Sequence, residues 1–218
     1  MSLKEKATAF LMGRMGKTAH VRQVTALDHR LLQLELQLPD PLAWRSCQHL
    51  KCQVSSTALR DYSVAHYNEN TQIATLLIDA GHIGKGSQWL RQLVPGDSVP
   101  YVGPGGGIHQ PTGASQLVCI GDASAMGHIL SLYHRRNPEQ GFHTLAIDED
   151  PLPTQIMGMP VHFSDGQEKD VISWLDQLQL PSHDTTFYVA GYIPMVVQTR
   201  KLLKQLGWKQ VKAAGFWE

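Results

Sequence analysis

The sequence predicts a two-domain α/β chain, an antiparallel sheet or barrel followed by a parallel sheet with helices on both faces. Three observations carry this reading. Leu32, Leu34, Leu36 and Leu38 recur at every second position, the period of a strand with one buried face. Past residue 113, short apolar runs alternate with amphipathic helical patterns, the order in which parallel strands are joined by crossover helices. With 218 residues the chain also exceeds the roughly 100–150 of a usual single domain. The break "GPGGGIHQPTGAS" separates the two patterns and puts the boundary near Gly103–Ala114, with domains at 1–112 and 113–218.

In chain order, strands are expected at "TAHVRQVTAL", "RLLQLELQL", "CQHLKCQV", "RDYSVAHY", "TQIATLLID" and "DSVPYV", each bounded by turn residues. Gly86 to Leu93 is the exception, because Trp89, Leu90 and Leu93 fall at helical spacing and "PGD" at 95–97 ends the run. "GPGGG" at 103–107 reads as a flexible interdomain loop. The second half then runs strand "QLVCIG", helix "ASAMGHILSLYHRR", strand "FHTLAID", helix "EKDVISWLDQL", strand "TTFYVAG", helix "IPMVVQTRKLLKQL" with Gly207 as its cap, and a last strand near "VKAAGF".

Composition narrows the function. Lys+Arg and Asp+Glu are both 19, so the long-range attraction a nucleic-acid binder uses is missing. Cys47, Cys52 and Cys119 have neither disulfide nor metal-ligand spacing and are expected as small buried hydrophobes. The eleven histidines are scattered without chelating pairs, so no metal site is expected. No signal-peptide core and no apolar run of about 18 residues occurs, which predicts a cytoplasmic protein without a membrane partner. Trp174 and the methionines read as core, and Lys201 and Lys204 as a solvated helix end.

Two stretches carry the chemistry. In "GHIGKGSQWL", Gly84 and Gly86 let main-chain N–H groups approach a ligand, and Ser87 opens a helix whose dipole favours an anion. In "LRDYS" at 59–63, Arg60 and Tyr62 are two apart and share one face of a strand, offering a guanidinium for phosphate and a ring for stacking. Ser63 points the other way, its hydroxyl suited to a heteroaromatic edge. Phosphate fork, ring platform and hydroxyl together suit a flavin nucleotide. "GRMGKT" at 13–18 is not a nucleotide-triphosphate loop, since Leu11 stands where its first glycine belongs.

R-x-Y-[ST], a G-x-[GA]-S-x-W-L helix start, "PGD" and "GPGG", followed by "CIGDASAMGHI", "YVAGYIPMVVQTRKLL" and "AAGFWE", resemble the ferredoxin–NADP reductase superfamily in order along nearly the whole chain. The likeness is greatest to its siderophore-interacting branch of FAD-dependent ferric-siderophore reductases. The resemblance implies an FAD-binding barrel followed by an NAD(P)H-binding α/β domain. It implies that Arg60 binds the flavin phosphate, Tyr62 stacks on the isoalloxazine and Ser63 lies near its reactive nitrogen, with Asp61 in the same motif. Gly84, Lys85, Gly86 and Ser87 would cradle the pyrophosphate. Gly121, Asp122, Ser124 and Ala125 would line the nicotinamide side, Gly191 would let that nucleotide pass close to the backbone, and Phe216 or Trp217 would cover the flavin. No side chain is needed as acid or base.

The implied reaction is reduction of a ferric siderophore or other ferric chelate by NADH or NADPH. The alternative is a flavin-dependent reductase that passes electrons to a protein partner or to free flavin. The donor is open at this level. Asp148, Glu149 and Asp150 follow the second strand of the parallel half and suit a ribose hydroxyl, whereas Arg135 and Arg136 suit a 2′-phosphate.

Overall fold

The structure, a computed structural model, describes residues 3–217. Two compact units divide between Ile108 and His109.

The first unit begins with helix α1 (Leu3–Met15), followed by β1 (Lys17–Ala26), β2 (Leu31–Gln37), β3 (Gln48–Ser55), β4 (Ala58–Asn68), β5 (Ile73–Asp79), α2 (Lys85–Gln92) and β6 (Ser98–Gly106). The six strands close into an antiparallel barrel in the order β1-β2-β5-β4-β3-β6, with β6 returning to β1. Closure leaves no free sheet edge. Leu34, Leu36, Leu50, Val64, Leu76, Leu90 and Val99 are fully buried inside it, each worth roughly 1.5–3 kcal/mol against exposure. The alternation of β2 thus sends its leucines inward.

Two sequence expectations change here. "GPGGG" is not a flexible loop: Gly105 and Gly106 end β6 and pair with His49 and Gln48 of β3. A Cβ at Gly105 would lie 2.7 Å from His49 Nε2 and one at Gly106 2.8 Å from His49 Nδ1, so these glycines let an imidazole pack flat on the strand. Helix α1 has no sequence counterpart because its apolar residues do not gather on one face, and Phe10 is left 69% exposed.

The second unit contains β7 (Gln116–Gly121), a 3₁₀ turn (Ala123–Ala125), α3 (Met126–Arg135), β8 (Gly141–Ile147), the short hairpin β9 (Gln155–Ile156) and β10 (Met159–Pro160), then β11 (His162–Ser164), α4 (Glu168–Leu178), β12 (Thr185–Tyr192), α5 (Ile193–Gln205) and β13 (Val211–Trp217). The main sheet has the order β11-β8-β7-β12-β13, and every neighbouring pair is parallel. From β7 the chain steps outward through β8 to β11, then returns to place β12 on the other side of β7. The strand order therefore reverses between β7 and β12, the switch point outside whose carboxyl ends open α/β sheets bind ligands. Cys47, Cys52 and Cys119 are all buried, and burial pushes the Cys47 and Cys52 thiols up to about 12. No described helix is long and apolar enough to cross a membrane.

Candidate functional site

In the barrel unit, Arg60, Tyr62 and Ser63 lie on β4, paired across to Cys52, Leu50 and His49 of β3. The start of α2 reaches this strand. A Cβ at Gly86 would stand 2.4 Å from Tyr62 Oη and 3.6 Å from Arg60 Cγ, so residue 86 must lack a side chain for helix and strand to approach this closely. Tyr62 is half-buried, its ring 6.0 Å from and nearly parallel to Trp89, with 6° between the planes. Burial, with the Cys52 thiol beside it, pushes the Tyr62 hydroxyl up, so it remains a donor at neutral pH. Arg60 is exposed and donates Nη1 to the Leu59 carbonyl at 2.9 Å.

Helix α2 begins at Gly84 with no side-chain cap and no acid in its first turn. Its first N–H groups and the positive end of its dipole are therefore available to an anion. Lys85 donates Nζ to Thr57 Oγ1 at 2.9 Å, which ties the helix start to the β3–β4 turn. Asp61 stands apart from this group. Strand alternation turns it away from Arg60 and Tyr62, and it accepts Lys51 Nζ at 2.7 Å.

Sequence reasoning missed what anchors the glycine loop. Asp79, at the end of β5, accepts Arg30 Nε at 3.1 Å, Arg30 Nη2 at 2.7 Å and the Gly81 N–H at 2.8 Å, with His82 Nε2 at 3.1 Å. Burial works to raise its carboxyl, but these partners together hold it below the usual range. Arg91 of α2 donates to the Ala80 carbonyl at 3.1 Å. The only local signal is an acid closing an apolar strand just before a glycine run. Its partner lies 49 residues away.

In the α/β unit, Gly121, Asp122, Ser124, Ala125 and Gly191 gather at the switch point. A Cβ at Gly121 would meet the Ala190 oxygen at 2.7 Å, and one at Gly191, whose φ is +123°, would meet Asp122 Oδ1 at 2.6 Å. The Asp122 carboxylate thus sits between the ends of β7 and β12. Its Oδ2 accepts the Tyr192 N–H at 2.7 Å and its Oδ1 accepts the Ser124 hydroxyl at 2.5 Å. Burial raises the Asp122 carboxyl, these hydrogen bonds pull it back in part, and Asp148 adds a further upward push.

The last strand closes over this group. Trp217 Nε1 donates to Ser124 Oγ at 3.0 Å, and its ring lies 4.5 Å from that of Tyr192. Phe216 packs edge-on against His128 at 5.3 Å. His128 Nε2 is 2.9 Å from His109 Nδ1, and both imidazoles are buried. Burial, followed by the nearby Lys212 charge, lowers His109 to about 4. No pattern around either histidine distinguished this pair in the sequence.

Arg135 and Arg136 lie away from the carboxyl edge of the sheet. Helix α3 runs back from the carboxyl end of β7, so its last turn lies about 15 Å along, at the opposite edge of the sheet. There the Arg136 guanidinium covers the Tyr133 ring at 3.9 Å. Asp148 does stand at the carboxyl edge, where Oδ2 accepts the Ala123 N–H at 3.1 Å.

Residues 18–109 match the family model described as an oxidoreductase FAD-binding domain. No curated protein matches the chain by sequence at a significant level. Among solved structures, the chain is similar to the siderophore-interacting protein of Acinetobacter baumannii, with TM-score 0.73 and 13% identity over 93% of this chain and 90% of that one. It is similar to the siderophore-interacting protein SipS of Aeromonas hydrophila, with TM-score 0.70 and 17% identity over 93% and 91%. It is likewise similar to the flavohem-like FAD/NAD-binding domain of nitric oxide dioxygenase from Vibrio cholerae, with TM-score 0.71 and 17% identity over 94% and 100%. The chain thus matches an oxidoreductase FAD-binding domain over residues 18–109 and has the two-domain fold of these solved structures.

Proposed function

We propose that the protein is an NAD(P)H-dependent ferric-siderophore or ferric-chelate reductase of the cytoplasm, with residues 1–112 holding FAD and residues 113–218 receiving the nicotinamide. The observation that supports this reading is the close approach of Gly86 to β4, where the Arg60 side-chain stem and the Tyr62 ring lie beside an uncapped helix start. These groups fit FAD. When bound, FAD supplies the conversion of a two-electron hydride transfer into single-electron steps toward iron.

The chain's own residues bind and orient. Arg60 and the first N–H groups of α2 hold phosphate oxygens, Tyr62 gives a flat face backed by Trp89, and Ser63 offers a hydroxyl to the ring edge. At the switch point Gly121 and Gly191 let a nicotinamide ribose approach the backbone, between Asp122 and the ring of Trp217. Ferric ion is harder than ferrous and prefers oxygen donors, so its reduction loosens a siderophore's grip.

Anaerobic spectroscopy tests this. The purified protein is expected to be yellow, to bleach on adding NADH or NADPH, and to recover its colour when a ferric siderophore is added with a ferrous trap present. Bleaching without recovery, combined with turnover on a protein acceptor or free flavin, would select the alternative reductase. A colourless protein that takes up no FAD would overturn both.

A further inference from the structure

Four rings line up beside the switch point: Phe216 of β13, His128 in the first turn of α3, His109, and Tyr188 of β12. Their centroids are 5.3, 5.0 and 5.5 Å apart in turn, and each pair meets edge-on. The two imidazoles are each only 4% exposed and face one another nitrogen to nitrogen at 2.9 Å. One proton lies between those nitrogens, so one ring donates and the other accepts. The far end of the row is fixed, because Tyr188 Oη donates to the carbonyl of Gln110, the residue after His109, at 2.6 Å.

The near end is not fixed by the sheet. Strand β13 is an edge strand. Its pairing with β12 slips between Gly191, opposite Gly215, and Tyr192, opposite Trp217, so that Phe216 is the extra residue of a bulge with no partner position on β12. A bulge re-aims a side chain at the cost of its place in the ladder. Phe216 therefore takes its position from the His128 ring, and Trp217 follows it in the chain with its bond to Ser124.

We propose that His109 and His128 are positioning residues for the nicotinamide site: the pair seats Phe216, holds the end of β13 closed on the switch point, and lets it open on taking up a proton. This rests on the proposed nicotinamide role of the second unit. The groups that face His109 are His128 from α3, Tyr188 from β12 and Lys212 from β13. None is an acid that would welcome a charge, and burial with the Lys212 charge lowers His109 to about 4. Opening the strand end admits water, where an imidazole returns to about 6.5. The open form therefore binds the proton better, and the ratio of open to closed rises by up to about tenfold for each pH unit between 6.5 and 4.

The test is ¹⁵N–¹H spectroscopy of the full-length protein as purified, following the indole N–H of Trp217, which is identified by its loss in Trp217→Phe. The indoles of Trp174 and Trp208 in the same unit serve as references. Between about pH 7 and 4.5 the Trp217 signal is expected to move toward that of a water-exposed indole while the references stay. His109→Gln keeps a hydrogen-bonding side chain that does not titrate and should hold the signal still. His128→Ala should put it in the open position already at pH 7, and should tighten NAD⁺ binding, read by calorimetry, about fivefold as the competing bond is lost. A Trp217 signal that does not move, that moves equally in His109→Gln, or that moves only together with both references overturns the inference. If Trp217 responds as expected but NAD⁺ binds neither protein, or both equally, the positioning of the strand end stands and the nicotinamide role of this edge fails, which separates the two outcomes.

Discussion

At the start of α2 the barrel unit leaves donors open: Gly84 has no side chain, nothing caps the first turn, and no acid neutralises it. At the carboxyl ends of β7 and β12 the α/β unit has already satisfied the comparable groups from within. Ala123 N–H reaches Asp148, Tyr192 N–H reaches Asp122, Ala125 N–H reaches the Asp122 carbonyl, and Trp217 closes on Ser124. A ligand at the first place fills vacant hydrogen-bonding capacity, whereas one at the second must compete with bonds already made. Under the proposed function this contrast matches a cofactor that stays and a co-substrate that leaves in every cycle.

The strongest test of the fixed, barrel side is Arg30→Met. It removes the guanidinium from the Asp79 carboxylate, whose side chain is only 3% exposed, leaving it the Gly81 N–H and His82, and is expected to cost about 3 kcal/mol of unfolding free energy, read from urea denaturation. Next is Gly86→Val, whose Cβ collides with Tyr62 Oη. The ring must leave its place beside Trp89, and FAD affinity should fall about 100-fold, equivalent to about 2.7 kcal/mol. The ratio of flavin to protein absorbance measures it.

On the α/β side, His109 sets a pH dependence. Its folded pKa of about 4 lies below the usual 6.5, so between these values the unfolded chain binds more protons. Stability contributed by neutral burial is therefore complete above about 6.5 and is lost as pH falls toward 4, by at most about 1.4 kcal/mol per pH unit. His109→Gln should flatten this slope in urea midpoints taken at pH 4.5 and 7. The smallest effect sharpens the comparison most directly. Trp217→Phe removes the bond to Ser124 while keeping a ring, and should tighten nicotinamide binding by about fivefold, since a competing hydrogen bond is worth about 1 kcal/mol. An unchanged or weakened affinity would show that the closed arrangement does not oppose the ligand.

Much of the fold was legible because its periods are local. The β7 and α4 expectations coincide with the observed elements at both ends, and β2 buries the alternating leucines that marked it. What failed had no local period. Helix α1 lacks an apolar stripe, the hairpin and β11 are two or three residues long per strand, and the glycines of β6 read as a loop until His49 is seen packed upon them. Within the candidate site, Arg60, Tyr62 and Gly86 come together. Asp61 does not, and the strand's own alternation predicts as much.

Taken alone, the sequence determined the order of the longer strands and of the amphipathic helices, the faces that are buried, and the residue types at the two glycine-rich turns. Each depends on neighbours a few positions away, through backbone geometry and side-chain spacing. Only the tertiary structure decided that the barrel closes β1 onto β6, that Asp79 is anchored by Arg30 across 49 residues, and that Trp217 reaches Ser124 across 93. Those contacts are fixed by how packed elements bring distant segments into register, and sequence spacing carries no record of that distance.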